Sequence, residues 1–387
     1  MKRLLVPALL LVGLLQNFVV AQTAKPKASA SSKSRKVVAR RRTPQSPKVD
    51  PTAGDNVDGE DLVVRRAAVD ALGTERGSIV VADPLTGRVL TMVNQKLALA
   101  NGFIPCSTIK LVTAVAALSE RVVDKDTFIY LGRYASYNLT TALARSNNQY
   151  FANLGVRLGF DRVIKYAQMM GLGEKAGLDI AGEQAGEVAT VAPKASSMGM
   201  LTAFGEGFQV TPLELTAIIS AIANGGTLYY LQYPRTQDDL DHFTPQIKRT
   251  LDVGPTSLDD IKMGMRGAVD YGTARRVNDP AETILGKTGT CTDSRSGYHM
   301  GWFGSYTDTP HKLVAVVMLT SPVKSVSGAV ASGVAGAFYR NLAAANYFTV
   351  ADGKKKSDLP DIITSSPAPP APVTTSSNST KGDSNQR

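Results

Sequence analysis

The chain has 387 residues, 43% of them hydrophobic, and two cysteines, which excludes a small disulfide scaffold and a largely disordered protein. Its formal net charge of +10 is unevenly placed: Lys2 and Arg3 open the chain, nine bases and no acid lie between Gln22 and Lys48, and the stretch from Ala351 onward adds five bases against four acids. The remaining body is close to neutral, so the basic balance gives no support to a nucleic-acid-binding core.

Taken in chain order, Lys2-Arg3 precede an apolar run from Leu4 to Leu15, and Val19-Val20-Ala21 places small residues before Gln22. That is the layout of a secretory signal peptide over residues 1–21, with an uncleaved anchor over residues 4–21 as the alternative. Lys25 and Lys27 follow closely and resist translocation under either reading. Residues 22–58 are rich in Lys, Arg, Ser, Ala and Pro and are expected to be a disordered basic linker. Its charge suits loose contact with anionic envelope polymers, or simply a solvated spacer. Residues 351–387 read as a disordered Pro/Ser/Thr-rich tail.

Residues 59–350 form one domain-sized body. Ser78–Ala82 and Val89–Val93 flank Asp83-Pro84-Leu85-Thr86-Gly87, a hairpin signal. Helical patterns follow over Thr108–Leu118, Leu139–Leu158, Arg162–Met170 and Pro212–Ala223. A second strand pair, Gly301–Tyr306 and Lys312–Leu319, turns at Asp308-Thr309-Pro310. Val326, Val330, Val334, Phe338 and Leu342 then recur every four residues on a closing helix. Strands at both ends and helices between them predict an α+β domain, with one antiparallel sheet built from both chain ends, flanking helices and a helical subdomain.

Three short segments carry chemistry. Ser107-Thr108-Ile109-Lys110 opens the first helix, and a Ser and a Lys three apart share a face, so the amine can reach the hydroxyl. Lysine serves as the base for a serine only if burial or neighbouring cations depress its pKa. Ser146-Asn147-Asn148 sits inside the Leu139–Leu158 pattern, where three small polar residues compete for backbone hydrogen bonds and so break a local rule. Lys287-Thr288-Gly289-Thr290 reads as a strand with Lys287 and Gly289 on one face and Thr288 and Thr290 on the other. Gly289 there would let a ligand approach the backbone, and an edge of this kind can pair with an extended substrate.

Each segment alone is a weak signal, but their order is specific. Ser107, Ser146 and Lys287 follow the S-x-x-K, S-x-N, K-T-G order of penicillin-binding proteins and class A β-lactamases. The chain resembles the penicillin-binding transpeptidase domain, the active-site-serine D,D-peptidases. The likeness extends through Ala82–Gly87, Gly171–Gly177, Val210–Leu215, Ala223–Gly226 and Gly272–Ala274, over roughly residues 75 to 345.

The resemblance implies a DD-peptidase/β-lactamase-like fold and an acyl-enzyme mechanism on D-Ala-D-Ala stem peptides or the β-lactams that mimic them. Ser107 would attack the carbonyl after Lys110 takes its proton, and Ser146 with Lys287 would deliver a proton to the leaving nitrogen. Asn148 would hold the substrate amide, while Thr288, Gly289 and Thr290 would line the binding edge and receive the terminal carboxylate. The backbone N–H groups of Ser107 and Thr290 would form the oxyanion hole. No metal or organic cofactor is required. Because Cys106 adjoins Ser107 and Cys291 adjoins Thr290, the resemblance also implies a Cys106–Cys291 disulfide in an exported protein; a pair of free buried thiols is the alternative.

The chain departs from the family in two ways. Only a short basic linker precedes the body, and Glu206 stands between Gly205 and Gly207 where Gln is frequent. Glu206 is read as a surface acid, with a place in the cleft as the alternative. A serine β-lactamase is the first rival reading, and it needs a base for the deacylating water. Glu183 matches the transpeptidase pattern, which leaves His299, placed in the loop between Cys291 and Trp302, as a candidate. A non-turnover β-lactam-binding sensor is the second rival.

Overall fold

The computed structural model describes residues 50–348, apart from positions 134, 195–196, 255, 280–281 and 324–325. The expected leader, most of the linker and the expected tail lie outside the described residues. Among the described residues no helix is long and apolar enough to cross a membrane.

The central element is a five-stranded antiparallel sheet drawn from both ends of the described span. Strand β1 (Gly77–Ala82) pairs with β2 (Val89–Val93) across the Asp83–Gly87 turn. The late strands β3 (Ile284–Thr292), β4 (His299–Thr307) and β5 (Val314–Ser321) form a meander, and β5 closes onto β1 through pairs such as Val80 with Val316. The order is β2-β1-β5-β4-β3, so β3 is an outer strand. His299 opens β4 and pairs with Thr292, so it belongs to the sheet and not to a loop.

Both faces of the sheet are buried, which explains its nearly continuous apolar strands. Side chains alternate across the pleat. Ile79, Val81, Phe303, Ala315 and Val317 enter one cluster with Val64, Leu72, Phe338 and Leu342. Those partners lie on α1 (Leu62–Leu72) and, at the other end of the chain, on a terminal helix Gly328–Ala344. Val80, Trp302, Tyr306, Val314 and Val316 face the opposite way, into the larger cluster that holds the middle helices. These are α2 (Lys110–Ser119), α3 (Leu139–Ala144), α4 (Asn148–Leu158), α5 (Phe160–Met169), α6 (Pro212–Asn224) and α7 (Ser257–Asp270).

Two differences from the sequence reading bear on the site. Residues 50–58, assigned to the linker by composition, are placed against the domain: Asp55 Oδ2 accepts from Arg65 Nη2 at 2.8 Å and from the Asn94 amide at 2.9 Å. The Asp55 carboxylate thus complements the Arg65 guanidinium and the amides of Asn94 and Gln95, a reason for order that low hydrophobicity does not reveal. The Leu139–Leu158 pattern is not one helix, because the chain breaks between α3 and α4. Ser146 has φ +53°, in the left-handed region, and the Asn147 side chain caps α4 by accepting from the Tyr150 amide at 2.8 Å. Small polar residues that are poor in a helix interior are good caps, and here they end one helix and start the next.

Candidate active site

The approach to Ser107 is fixed by backbone geometry and by the sheet. Cys106 has φ +52°. Residues Cys106–Ile109 form a tight 3-10 turn, which becomes α2 at Lys110. Thr108 Oγ1 donates to the Pro105 carbonyl at 2.7 Å, and the buried Trp302 indole donates to the Ile104 carbonyl at 3.0 Å. The single tryptophan thus anchors the nucleophile loop to strand β4. The face of β3 that carries Gly289 turns toward the same loop. A Cβ at Gly289 would lie 2.9 Å from the Pro105 carbonyl oxygen and 3.2 Å from Thr108 Cγ2. Gly289 is therefore required by an approach of the protein's own backbone, which corrects the sequence reading that assigned the space to a ligand. Gly289→Val should lower the unfolding free energy by roughly 1–3 kcal/mol or more through overpacking, read as a lower denaturant midpoint.

Cys106 and Cys291 are joined in a disulfide with a Cα separation of 5.5 Å, tying the nucleophile loop to the end of β3 across 185 residues of sequence. Closure of so long a loop constrains the unfolded chain strongly. The double variant Cys106→Ser/Cys291→Ser should lose about 2–5 kcal/mol of stability, and reducing agent should lower the melting temperature of the wild type but not of the variant.

Every residue of α2 from Lys110 to Leu118 is buried, which carries the Lys110 amine into the interior. Its Nζ lies 2.6 Å from Ser107 Oγ, 2.7 Å from Asn148 Oδ1 and 3.3 Å from Ser146 Oγ, with the rings of Phe151 and Phe204 flanking it. Lys287 Nζ approaches Ser146 Oγ from the other side at 2.9 Å and donates to the Thr288 carbonyl at 2.8 Å. Five polar side chains from the 3-10 turn, α2, the α3–α4 break, α4 and β3 thus meet in one chain of contacts. Burial pulls the Lys110 amine down to about 7, and it holds Lys287 well below the usual lysine range, where the neighbouring Lys110 charge depresses it further. No carboxylate contacts either amine in these bonds, so repulsion and desolvation together disfavour two simultaneous positive charges.

Ser107, Ser146, Asn148, Thr288 and Thr290 open into a cavity of about 720 Å³. Thr290 Oγ1 accepts from the Gly328 amide at 2.7 Å, which fastens β3 to the start of the terminal helix, α8 (Gly328–Ala344). Thr288 Oγ1 lies 2.6 Å from Thr273 Oγ1. Thr273 follows Gly272, where a Cβ would collide with the Ala144 carbonyl oxygen at 2.1 Å, so the loop after α7 is pressed against the end of α3. Thr273 lines the cavity although it was not singled out in the sequence, where the short Gly-Thr-Ala segment was its only signal.

Arg145, Arg275 and Arg276 also line this cavity. Nothing in their local pattern marked them, since they are exposed arginines at a helix end and on a short 3-10 turn. His299, the candidate base for a deacylating water, and the acids Glu183 and Glu206 lie elsewhere. Glu183 is buried and accepts from the amides of Ala176 and Gly177. His299 shares a hydrogen bond with Thr292, and Glu206 is exposed; none of the three lines the cavity.

Comparison with known proteins agrees with this architecture. A family model described as the penicillin binding protein transpeptidase domain matches residues 77–343. Stage V sporulation protein D of Bacillus subtilis is 29% identical over 282 residues, covering 65% of this chain and 44% of that protein. Peptidoglycan D,D-transpeptidase FtsI of Escherichia coli is 25% identical over 251 residues, covering 54% and 43%. The chain thus spans less than half the length of these curated relatives. Among solved structures, the transpeptidase domain of Burkholderia pseudomallei penicillin-binding protein 3 superposes with a TM-score of 0.64 at 20% identity, covering 75% of this chain and 96% of that one. Pseudomonas aeruginosa PBP2, solved in complex with WCK 5153, gives 0.63 at 24% identity, covering 78% and 77%. The fold is the DD-peptidase/β-lactamase-like one that these domains share.

Proposed function

The chain belongs to the penicillin-binding protein transpeptidase family, and from that premise we propose that it is a serine acyltransferase of the cell envelope. Its donors are peptidoglycan stem peptides ending in D-Ala-D-Ala, and β-lactams acylate the same serine. The observation that carries this reading is the 2.6 Å contact between Lys110 Nζ and Ser107 Oγ, made by an amine whose affinity for protons is already lowered by burial.

In the proposed cycle, neutral Lys110 accepts the Ser107 proton as Oγ bonds to the carbonyl carbon of the penultimate D-Ala. The tetrahedral oxyanion is held by the backbone N–H groups of Ser107 and Thr290, worth about 3–4 kcal/mol per donor in other acyl-transfer enzymes. The proton then passes through Ser146, held between the two amines, to the departing D-Ala nitrogen as the C–N bond breaks. Asn148 orients the donor amide, and the hydroxyls of Thr288 and Thr290 receive the terminal carboxylate. An acceptor amine then takes the acyl group for cross-linking, or water takes it for carboxypeptidase trimming.

The same geometry favours a transpeptidase over a β-lactamase. Among the described residues lining the cavity there is no carboxylate or imidazole to activate a deacylating water. The domain acts on the outer side of the cytoplasmic membrane, where that substrate lies. The lifetime of the acyl-enzyme tests the function: benzylpenicillin should leave an adduct on Ser107 that persists for many minutes, and nitrocefin should not be turned over. Rapid release with nitrocefin hydrolysis would make the protein a β-lactamase.

A further inference from the structure

The arginines at the cavity wall are left without a task by the mechanism. Arg145 caps α3 one residue before Ser146, and its guanidinium lies 5.9 Å from the centre of the Tyr271 ring. Arg275 and Arg276 follow Thr273 on the short 3-10 turn after Tyr271. Among the described residues none of the three forms an ion pair. Among the described residues, the cavity they line has no acidic wall residue. The body of the chain is nearly neutral overall, so three fixed positive charges around one reactive cavity are a local concentration and not a sample of a basic surface.

A donor with a single terminal carboxylate brings one negative charge. In the proposed cycle that group is received by Thr288 and Thr290, and the two lysines are too buried to add lasting charge. Guanidinium groups present a planar fork of donors that matches a carboxylate, and stacking on an aromatic ring limits the orientations of that fork. From these observations we infer that Arg145, Arg275 and Arg276 form a subsite for a second carboxylate on the acyl donor, so that the enzyme selects stem peptides keeping a free side-chain carboxylate near D-Ala-D-Ala over those carrying a carboxamide there. This inference rests on the reading of Ser107 as the nucleophile.

A pair of penicillins separates the two ideas. Benzylpenicillin carries one carboxylate, and carbenicillin is the same molecule with a second carboxylate on the side-chain α-carbon. Second-order acylation rate constants for both are measured on the full chain at low ionic strength, in the wild type, in Arg145→Gln and in Arg275→Gln/Arg276→Gln. The carbenicillin-to-benzylpenicillin ratio should fall roughly tenfold in at least one variant, the size expected for loss of a charge-assisted hydrogen bond, and should fall in the wild type as salt is added. The ratio is internal to each protein, so a variant that folds in lower yield still reports. An unchanged ratio in both variants overturns the inference. So does an equal slowing of both penicillins, which would assign the arginines to the terminal carboxylate. If neither penicillin acylates the wild type, the proposed nucleophile itself falls and the subsite with it; if benzylpenicillin acylates and the ratio does not respond, only the subsite falls.

Discussion

Ser107→Ala will abolish covalent labelling by a fluorescent penicillin and will lower acyl transfer on D-Ala-D-Ala peptides by a factor on the order of 10⁴ or more, as loss of the nucleophile does in other serine acyl-enzymes. The expectation follows from the absence of a substitute: Ser146 Oγ is held between two amines, and the hydroxyls of Thr288 and Thr290 are engaged with Thr273 and with the Gly328 amide. Stability should hardly change. Removing Oγ leaves Lys110 Nζ its contacts with Asn148 and Ser146, so no buried amine is orphaned. A melting temperature near that of the wild type, combined with lost labelling, isolates the chemical role. Labelling that persists in the variant would move the nucleophile elsewhere and overturn the proposed function.

The sheet and its closing helix are legible in the sequence because their signals are local. Two β-rich runs surround a Pro/Gly turn in Asp83–Gly87, and Val326, Val334, Phe338 and Leu342 keep a regular spacing. Convergence of the site is legible only through the family resemblance, since no local rule brings Ser107, Ser146 and Lys287 together. What stays hidden has two physical causes. One is the choice between helix interior and helix end: Ser146-Asn147-Asn148 fits either, and no local rule foretells the left-handed backbone at Ser146 or the placing of its hydroxyl between the two lysine amines. The other is close approach between distant backbones. Gly289 reads as room for a ligand until Pro105 is seen to fill it, and Arg145, Arg275 and Arg276 become a group only when the loop after α7 reaches the end of α3.

Lys110→Met should reduce β-lactam acylation by about 10²–10⁴-fold, the usual range for loss of a positioned general base, while leaving the protein at least as stable as the wild type at neutral pH. The two effects have one origin. A lysine that ordinarily titrates at 10.5 is pulled down to about 7 because burial penalises its charged form. The unfolded chain therefore binds a proton that the folded chain holds only weakly, and wild-type stability rises with pH between about 7 and 10.5. Methionine of similar length fills the site without that cost and should flatten this dependence, which makes the wild-type amine a feature retained against stability. The same depression sets the catalytic profile. The neutral amine is the competent base, so the wild-type acylation rate should climb as pH rises and level off above about 7. Lys287 titrates against the same neighbour, and its own affinity for protons should recover partly once the Lys110 charge is gone. A residual acid limb in Lys110→Met would then belong to Lys287. If the variant instead acylates at the wild-type rate with an unaltered pH profile, Lys110 is a packing residue and proton removal from Ser107 has another agent.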